Sequence, residues 1–581
     1  MPDTDTTRDS DLDQDIESPR GRFVTWRSIL VTLVLLAIVL MAVLPPLLNV
    51  NRFKRRIVTS ISTSIGRPVH LDNVSLVLLP LPGFRLDNFV VAEDPAFGSE
   101  PVIHANSVLA TLRVSSLWRR EVEFSKISLE EPSINLVHSP SSDPDGRWNV
   151  ESILLRAALI PAAPTAQARP SAEPRFPYIE ATDARVNIKS GLEKLPFSLT
   201  EADFALWLPN PQQWRIRVEA KPTRTDTNAS DTGTISLEGS LGHAGRFDQI
   251  PLEISAEWKN APLGEASRIL TGRDAGVRGD LRLNVSATGT VGSSLIKSTL
   301  DLRNARRADF VPDHPLDLHA ECQAVSAETF HAFHQLRCSW PPPSSNSNDP
   351  ALIALTGDLP DVHRPAASSF EIGTSGLPAS TLLNWLRVAS PRVPSDVAAT
   401  GTLSGSLSGV MTASPAGRID LKAATLTGGP LGATPVKLGE VIIINAALAA
   451  PEPRAARRSR TATHPSTYAD GTFLMSPTTV TLGGKDPATL EGRFNPTGYT
   501  LHLTGNVLPS RLMALGTALP QFGDGLRAVL PPPAPQIAKE TPSRSELPIR
   551  IDLTANRTWF GGQIWSKAST SITPKPNRHR R

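Results

Sequence analysis

The feature that most constrains this chain is a period of two. Between Arg67 and Leu155, apolar residues recur at every second position within short runs: Val74, Leu76 and Leu78; Val108, Ala110, Leu112 and Val114; Ile134 and Leu136. Successive side chains of a strand point to opposite sides, so such alternation belongs to a sheet with one buried face. Turn residues fall where the runs must reverse, at Pro80-Leu81-Pro82-Gly83, Asp94-Pro95 and Glu131-Pro132. The stretch reads as a meander with strands at 68–80, 84–91, 107–114, 122–129 and 133–138. Val108, Leu112, Val114, Ile134 and Leu136 are the residues expected to line its apolar face.

Ahead of the meander, residues 1–27 are polar and acidic and read as a disordered tail. No residue from Ser28 to Asn51 is charged, and Ile29–Leu48 is almost wholly aliphatic. A helix needs ~20 apolar residues to cross ~30 Å of hydrocarbon, so 28–51 is expected to form one transmembrane anchor. A cleaved signal has a shorter apolar region and a small-residue cleavage site, and Leu44-Pro45-Pro46-Leu47 is a poor one. Arg20, Arg22 and Arg27 lie on one side and Arg52, Lys54, Arg55 and Arg56 on the other, so flanking charge does not set the orientation. Phe53, Ile57, Ile61 and Ile65 are then spaced by four, the mark of an amphipathic helix stopped by Gly66 and Pro68. Two roles stand open for it: a cap closing the end of the sheet, or a basic face on anionic headgroups with an apolar face over the mouth of a groove.

After Leu155 the alternation breaks off in the Ala/Pro-rich segment 156–177, read as a linker or loop. Similar Pro-rich loops fall near 341–350, 451–466 and 531–545, and 574–581 is a basic tail. Between them strand-like runs resume, among them 184–190, 197–208, 214–220, 234–241, 252–258, 280–290, 401–409, 438–449, 478–484, 489–494, 499–507 and 547–555. Three segments share an order of strand, Pro-containing turn and short apolar helix: 253–270, 371–386 and 501–516. Repetition of one supersecondary unit lets a molecule grow in length rather than as separate globules. The expected fold is mainly β: an elongated, curved antiparallel sheet, open as a groove or half-pipe, with short interspersed helices, over 52–155 and 178–573.

Composition narrows the function. Formal net charge is +3 and the arginines are scattered, whereas a nucleic-acid binder shows a clustered basic face with interleaved aromatics. No Gly-rich phosphate loop, H-E-x-x-H or G-x-S-x-G pattern occurs, and no carboxylate pair sits in an apolar run. No catalytic, cofactor-binding or metal residue is therefore assigned. Cys322 and Cys338 enclose His331 and His334. A disulfide, two separate buried thiols and a metal site are the three readings of these cysteines.

The order Gly66-Arg67-Pro68-Val69, the turn Pro82-Gly83, then Glu131-Pro132-Ser133-Ile134-Asn135-Leu136 and Gly146-Arg147-Trp148-Asn149 resembles the N-terminal region of the AsmA-like family, which includes TamB and its relatives. The resemblance is specific over about residues 28–155. It implies an inner-membrane anchor with the bulk of the chain periplasmic, and a non-enzymatic role in moving phospholipid between inner and outer membranes. The implied partners are the inner membrane and phospholipid. The alternative is a scaffold that engages outer-membrane assembly proteins by strand addition.

Overall fold

The computed structural model describes residues 54–117, 124–139, 147–153, 177–445, 472–518, 549–560 and 563–572, together with 26 and 30–35. Short breaks fall at 211–212, 230, 342–351, 363, 392, 412–414, 484–485 and 496–497. Among these residues 26 strands join in a single sheet. Pairing is almost wholly sequential, each strand lying beside the next. In three places two short strands share one position, as Val69–His70 and Asn73–Val77 both do against Gly83–Val91.

The sheet is mixed rather than antiparallel. Phe124–Glu130 and Ser133–His138 form one bent strand that runs parallel to Tyr178–Ser190, and Gly498–Val507 runs parallel to Ile549–Phe560. Both parallel pairs follow long connections, 139–177 and 508–548. A parallel return needs a crossover of a dozen or more residues, whereas two residues suffice for a hairpin.

Alternating directions put every connection on one of two rims. Helix α1, Lys54–Ile65, delivers the chain to the first strand at one of them. The same rim carries α2, Leu263–Thr271, α3, Ala379–Ala389, and α4, residues 509–518. Five strands separate Pro251–Pro262, which leads into α2, from Ser369–Pro378, which leads into α3. A helix thus recurs every six ladder positions, and α4 follows at the same interval. The entry to each helix is built alike. A register shift falls at 258–261, 374–377 and 505–507, and it leaves Ala261, Leu377 and Val507 buried beneath the following helix.

Bulges also crease the sheet. Asn88, Glu131, Asp183, Glu201, Asn260 and Asn304 hold left-handed φ values of 47–54°, uncommon for residues with a Cβ. A bulge bends its strand and frees an amide from the ladder. Neighbouring side chains accept some of these freed amides, Asp203 Oδ1 from Asp183 at 3.0 Å and Asp317 Oδ1 from Asn304 at 2.8 Å, and at the bulge before α3 Ser404 Oγ accepts from Gly376 at 3.0 Å. The bending accumulates. His138 ends strand Ser133–His138 and His331 lies in the turn between Leu318–Ala327 and Ala332–Trp340, at least eight spacings or ~38 Å along the ladder, yet their rings are 6.4 Å apart. The sheet therefore turns back on itself.

Two expectations need correction. The run 68–80 is two strands broken at Leu71-Asp72. The strand through Leu112 ends there, so Val114 opens a helical turn instead of extending the alternation. Among the described residues no helix is long and apolar enough to cross a membrane; of 28–51 only 30–35 is described, as helix. The Pro-rich segments, apart from Pro177 and Pro341, and the basic tail lie outside the described residues.

Candidate functional site: an apolar face and its closed ends

The ladder places side chains in rows that cross many strands, and adjacent rows face opposite sides. One row through the middle of the sheet reads Ala256, Val285, Ser298, Cys322, Cys338, Leu355, Ile372 and Leu407. The adjacent row reads Ser255, Ser286, Lys297, Gln323, Arg337, Thr356, Glu371 and Ser408. One face of the sheet is thus apolar or small across eight strands while the other is polar. A parallel apolar row runs Trp258, Leu283, Leu300 and Ala320.

Coverage of this face changes along the ladder. At the N-terminal end Val69, Val74, Leu86, Phe89, Val108 and Leu129 belong to one buried cluster, and Ile57, Val58 and Ile61 of α1 pack against it. At the C-terminal end Leu482, Leu501, Leu503 and Ile551 form another, closed by Leu512, Leu515 and Ala518 of α4. Between them α2 and α3 cover only the helical rim, over Trp258, Ala261 and Leu281 and over Ala305 and Leu316. In the central row Leu355 and Leu407 are only half-buried and Ile372 is 38% exposed. The described residues therefore hold two closed ends and an open middle.

Four of the five residues picked from the sequence share the apolar face. Val108 lies opposite Leu86 and Leu129, and Leu112 opposite Phe124. Ile134 lies opposite Ile103 and Val186, and Leu136 opposite Ile188. Val108 and Leu112 are buried core, while Ile134 and Leu136 are half-buried. Val114 is 49% exposed and belongs to the rim. Cys322 and Cys338 are directly opposite and joined by a disulfide, so a staple sits within the apolar row and neither sulfur is free for a metal. Among the described residues no group of three or more His, Cys, Asp or Glu could hold a metal ion.

A polar cluster at the N-terminal end escaped the sequence reading. Asn149, fully buried, accepts from the Val137 amide at 3.0 Å and donates to the Asn135 carbonyl and to Glu93. Arg67 donates to the Asn149 carbonyl and Ser152 Oγ and pairs with Asp94 at 3.2 Å. Arg67 follows α1 by two residues, so the cluster clamps α1 to the 147–153 corner. The Arg and the Asn are 82 positions apart, and only their presence in two apolar-flanked motifs hinted at a shared task.

The helical rim also carries a charged cleft of about 340 Å³ under α2, lined by Glu265, Arg268, Asp274, Arg278, Asp280 and Arg306. Arg278 beside Asp274 holds that carboxyl down at about 2, helped by the Gly276 amide. At α3, burial pushes the Arg387 guanidinium down. Its Nε donates to the Pro394 carbonyl at 2.9 Å and it stacks over Phe310. Arg268 and Arg278 both pair with Asp274, which fastens α2 to the strand that follows it.

The AsmA family profile matches residues 24–187, and this segment of the chain is AsmA-like. The match contains the motifs that carried the resemblance, and it covers less than a third of the chain. No curated protein matches the chain, and no solved structure does.

Proposed function

From an AsmA-like N-terminal segment that feeds a continuous apolar face, we propose that this protein is a non-enzymatic carrier of phospholipid between two membranes. The apolar row from Ala256 to Leu407 carries the reading, because its middle is left open to solvent. An exposed apolar surface of that extent calls for an apolar occupant. Acyl chains lying along the row would be shielded while headgroups stay in water. His138 shares a face with Ile134 and Leu136 and its ring reaches His331, a contact that supports a sheet curled toward its apolar side as a half-pipe around such chains. At ~4.8 Å per strand the ladder has a contour on the order of 100 Å.

The chain is proposed to be anchored in the inner membrane by 28–51, with the sheet in the periplasm. A disulfide at Cys322–Cys338 suits that oxidising compartment. The second reading is a scaffold for outer-membrane protein assembly. It is favoured by strand Gln563–Ile572, which among the described residues pairs on one side only, since such an edge can accept a partner strand.

The test is gentle extraction of the full chain followed by mass spectrometry of co-purifying lipid, with transfer between labelled donor and acceptor vesicles. The expected result is bound phospholipid and measurable transfer, both reduced in Ile372→Asn with Leu407→Asn. A folded protein with neither bound lipid nor transfer would leave the scaffold reading standing.

A further inference from the structure

Three exposed apolar side chains meet at one corner of the hairpin rim. Leu79 and Leu81, 51% and 58% exposed, sit on the turn between Asn73–Val77 and Gly83–Val91. Val114, 49% exposed, follows strand Ile103–Leu112. The two connections are side by side, because the Leu112 amide donates to the Pro82 carbonyl at 2.8 Å and Gly83 lies opposite Thr111. A single exposed leucine is ordinary, but three on adjacent turns form a patch.

Positive charge lies beside the patch. Arg85 is exposed beside it and Arg113 precedes Val114. The direction of α1 supplies an independent pointer. Lys54 donates to the Asp72 carbonyl at 2.9 Å, while the Val69 amide donates to Ser62 Oγ at 3.0 Å. The helix thus runs antiparallel to Val69–His70 and Asn73–Val77. Its N-terminal end, joined in sequence to the apolar run 29–48, faces the way these strands run, toward Leu79 and Leu81.

We propose that this corner is a membrane-docking tip, with Leu79, Leu81 and Val114 immersed in the interface of a bilayer and Arg85 and Arg113 on anionic headgroups. Apolar side chains flanked by Lys and Arg are the composition that holds a surface segment in that interface. The inference deepens the conduit reading and rests on its anchor. It fixes the closed N-terminal end of the sheet at the donor bilayer, with the open middle of the face beyond it.

The test uses the full chain, whose two native cysteines are bonded to each other. A single added cysteine, Leu81→Cys, Val114→Cys or Leu192→Cys, takes a fluorophore. Leu192 is the control, 85% exposed on the opposite rim. Each protein is reconstituted into vesicles of phosphatidylethanolamine and phosphatidylglycerol carrying a nitroxide on the acyl chain. Labels at 81 and 114 should lose most of their fluorescence, and the label at 192 should keep it. Equal quenching at all three positions, or none at 81 and 114, would overturn the docking tip. Phosphatidylcholine alone should weaken the quenching, and unchanged quenching there would remove the role of the arginines. Co-purifying lipid is measured on the same samples: quenching without bound lipid keeps the tip and removes the conduit, whereas bound lipid without quenching removes the tip alone.

Discussion

Asparagine in place of an apolar residue separates an open face from a closed core. Ile372, opposite Leu355 and Leu407, is 38% exposed, while Leu112, opposite Phe124, is 9% exposed. Ile372→Asn gives up partial burial of one side chain, about 1 kcal/mol out of the ~1.5–3 for full burial. The difference in strand propensity adds up to ~1 kcal/mol, and the new amide keeps its water. Leu112→Asn forfeits ~2–5 kcal/mol of packing and strands an amide for ~1–3 kcal/mol more. The expected costs are thus about 1–2 against about 3–8 kcal/mol. A ladder of stacked units does not unfold in two states, so the readout is hydrogen exchange of the mutated strand and its neighbours. At tenfold per 1.4 kcal/mol, exchange should rise about five- to thirtyfold around Ile372 and about a hundredfold or more around Leu112. Bound lipid should fall in the Ile372 variant despite its intact fold. If Ile372→Asn speeds exchange as much as Leu112→Asn does, the central face is covered and the reasoning fails.

Two further outcomes follow from the ends and the rim. Asn149→Ala leaves Glu93 and the Val137 amide short of a partner inside the clamp. It should cost ~2–4 kcal/mol, read as faster exchange in α1 while strands beyond Tyr178–Ser190 stay protected. Asp274 is held at about 2, below its ordinary 3.8, chiefly by the hydrogen bond from Arg278. A depressed carboxylate stabilises the fold above its unfolded value and loses that contribution as pH falls toward the folded one. Acid titration followed by exchange at α2 should therefore show a loss between about pH 4 and pH 2 that Asp274→Asn abolishes; an unchanged profile in that variant would exclude Asp274 as its source.

Legibility varied with how local the signal was. Strand Ser133–His138 is where the alternation placed it, and Thr234–Gly242 and Gly498–Val507 differ from their runs by a residue at one end. Strands Ser294–Arg307, Leu318–Ala327, Ala332–Trp340 and Ala416–Gly428 were not read. In these the face-forming positions include Ser298, Cys322 and Gly417, too small or polar to mark a period. Bulges add to the difficulty, since a residue at positive φ shifts the parity of everything after it, as at Asn88 and Asp183. Val114 failed for a simpler reason: its parity was right but its strand had already ended. The clamp of Arg67, Glu93 and Asn149 depends on contacts between distant segments that no window of sequence contains. Element order was legible in the third repeat, but the sense of pairing was not. That repeat alone carries the long 519–548 insertion, and only a long connection permits the parallel return.

The six-strand interval yields a prediction that bears on function through length alone. If each unit contacts mainly its neighbours, excising residues 263–378 should leave a folded protein, because the stability of such arrays is nearly a sum of local and nearest-neighbour terms. The cut joins Pro262 to Ala379, so strand Pro251–Pro262 would feed α3 and pair with Val397–Val410. Ala261 would take the place of Leu377 opposite Leu403, the counterpart of its present pairing with Leu281. The apolar row would stay continuous, with Ile254 and Ala256 supplying the positions of Phe370 and Ile372. The ladder would lose six spacings, about 29 Å of contour. Vesicle-to-vesicle transfer, where the gap is free to close, should survive the excision. Rescue of a strain lacking the protein should fail, because the gap between its two membranes is fixed. A scaffold acting through its terminal strand Gln563–Ile572 would keep that strand intact and need only reach its partner. Restoration of rescue by a flexible linker of ~30 Å reach, placed ahead of α1, would therefore argue against a continuous conduit. A linker lengthens the tether without lengthening the apolar face, and lipid cannot follow it.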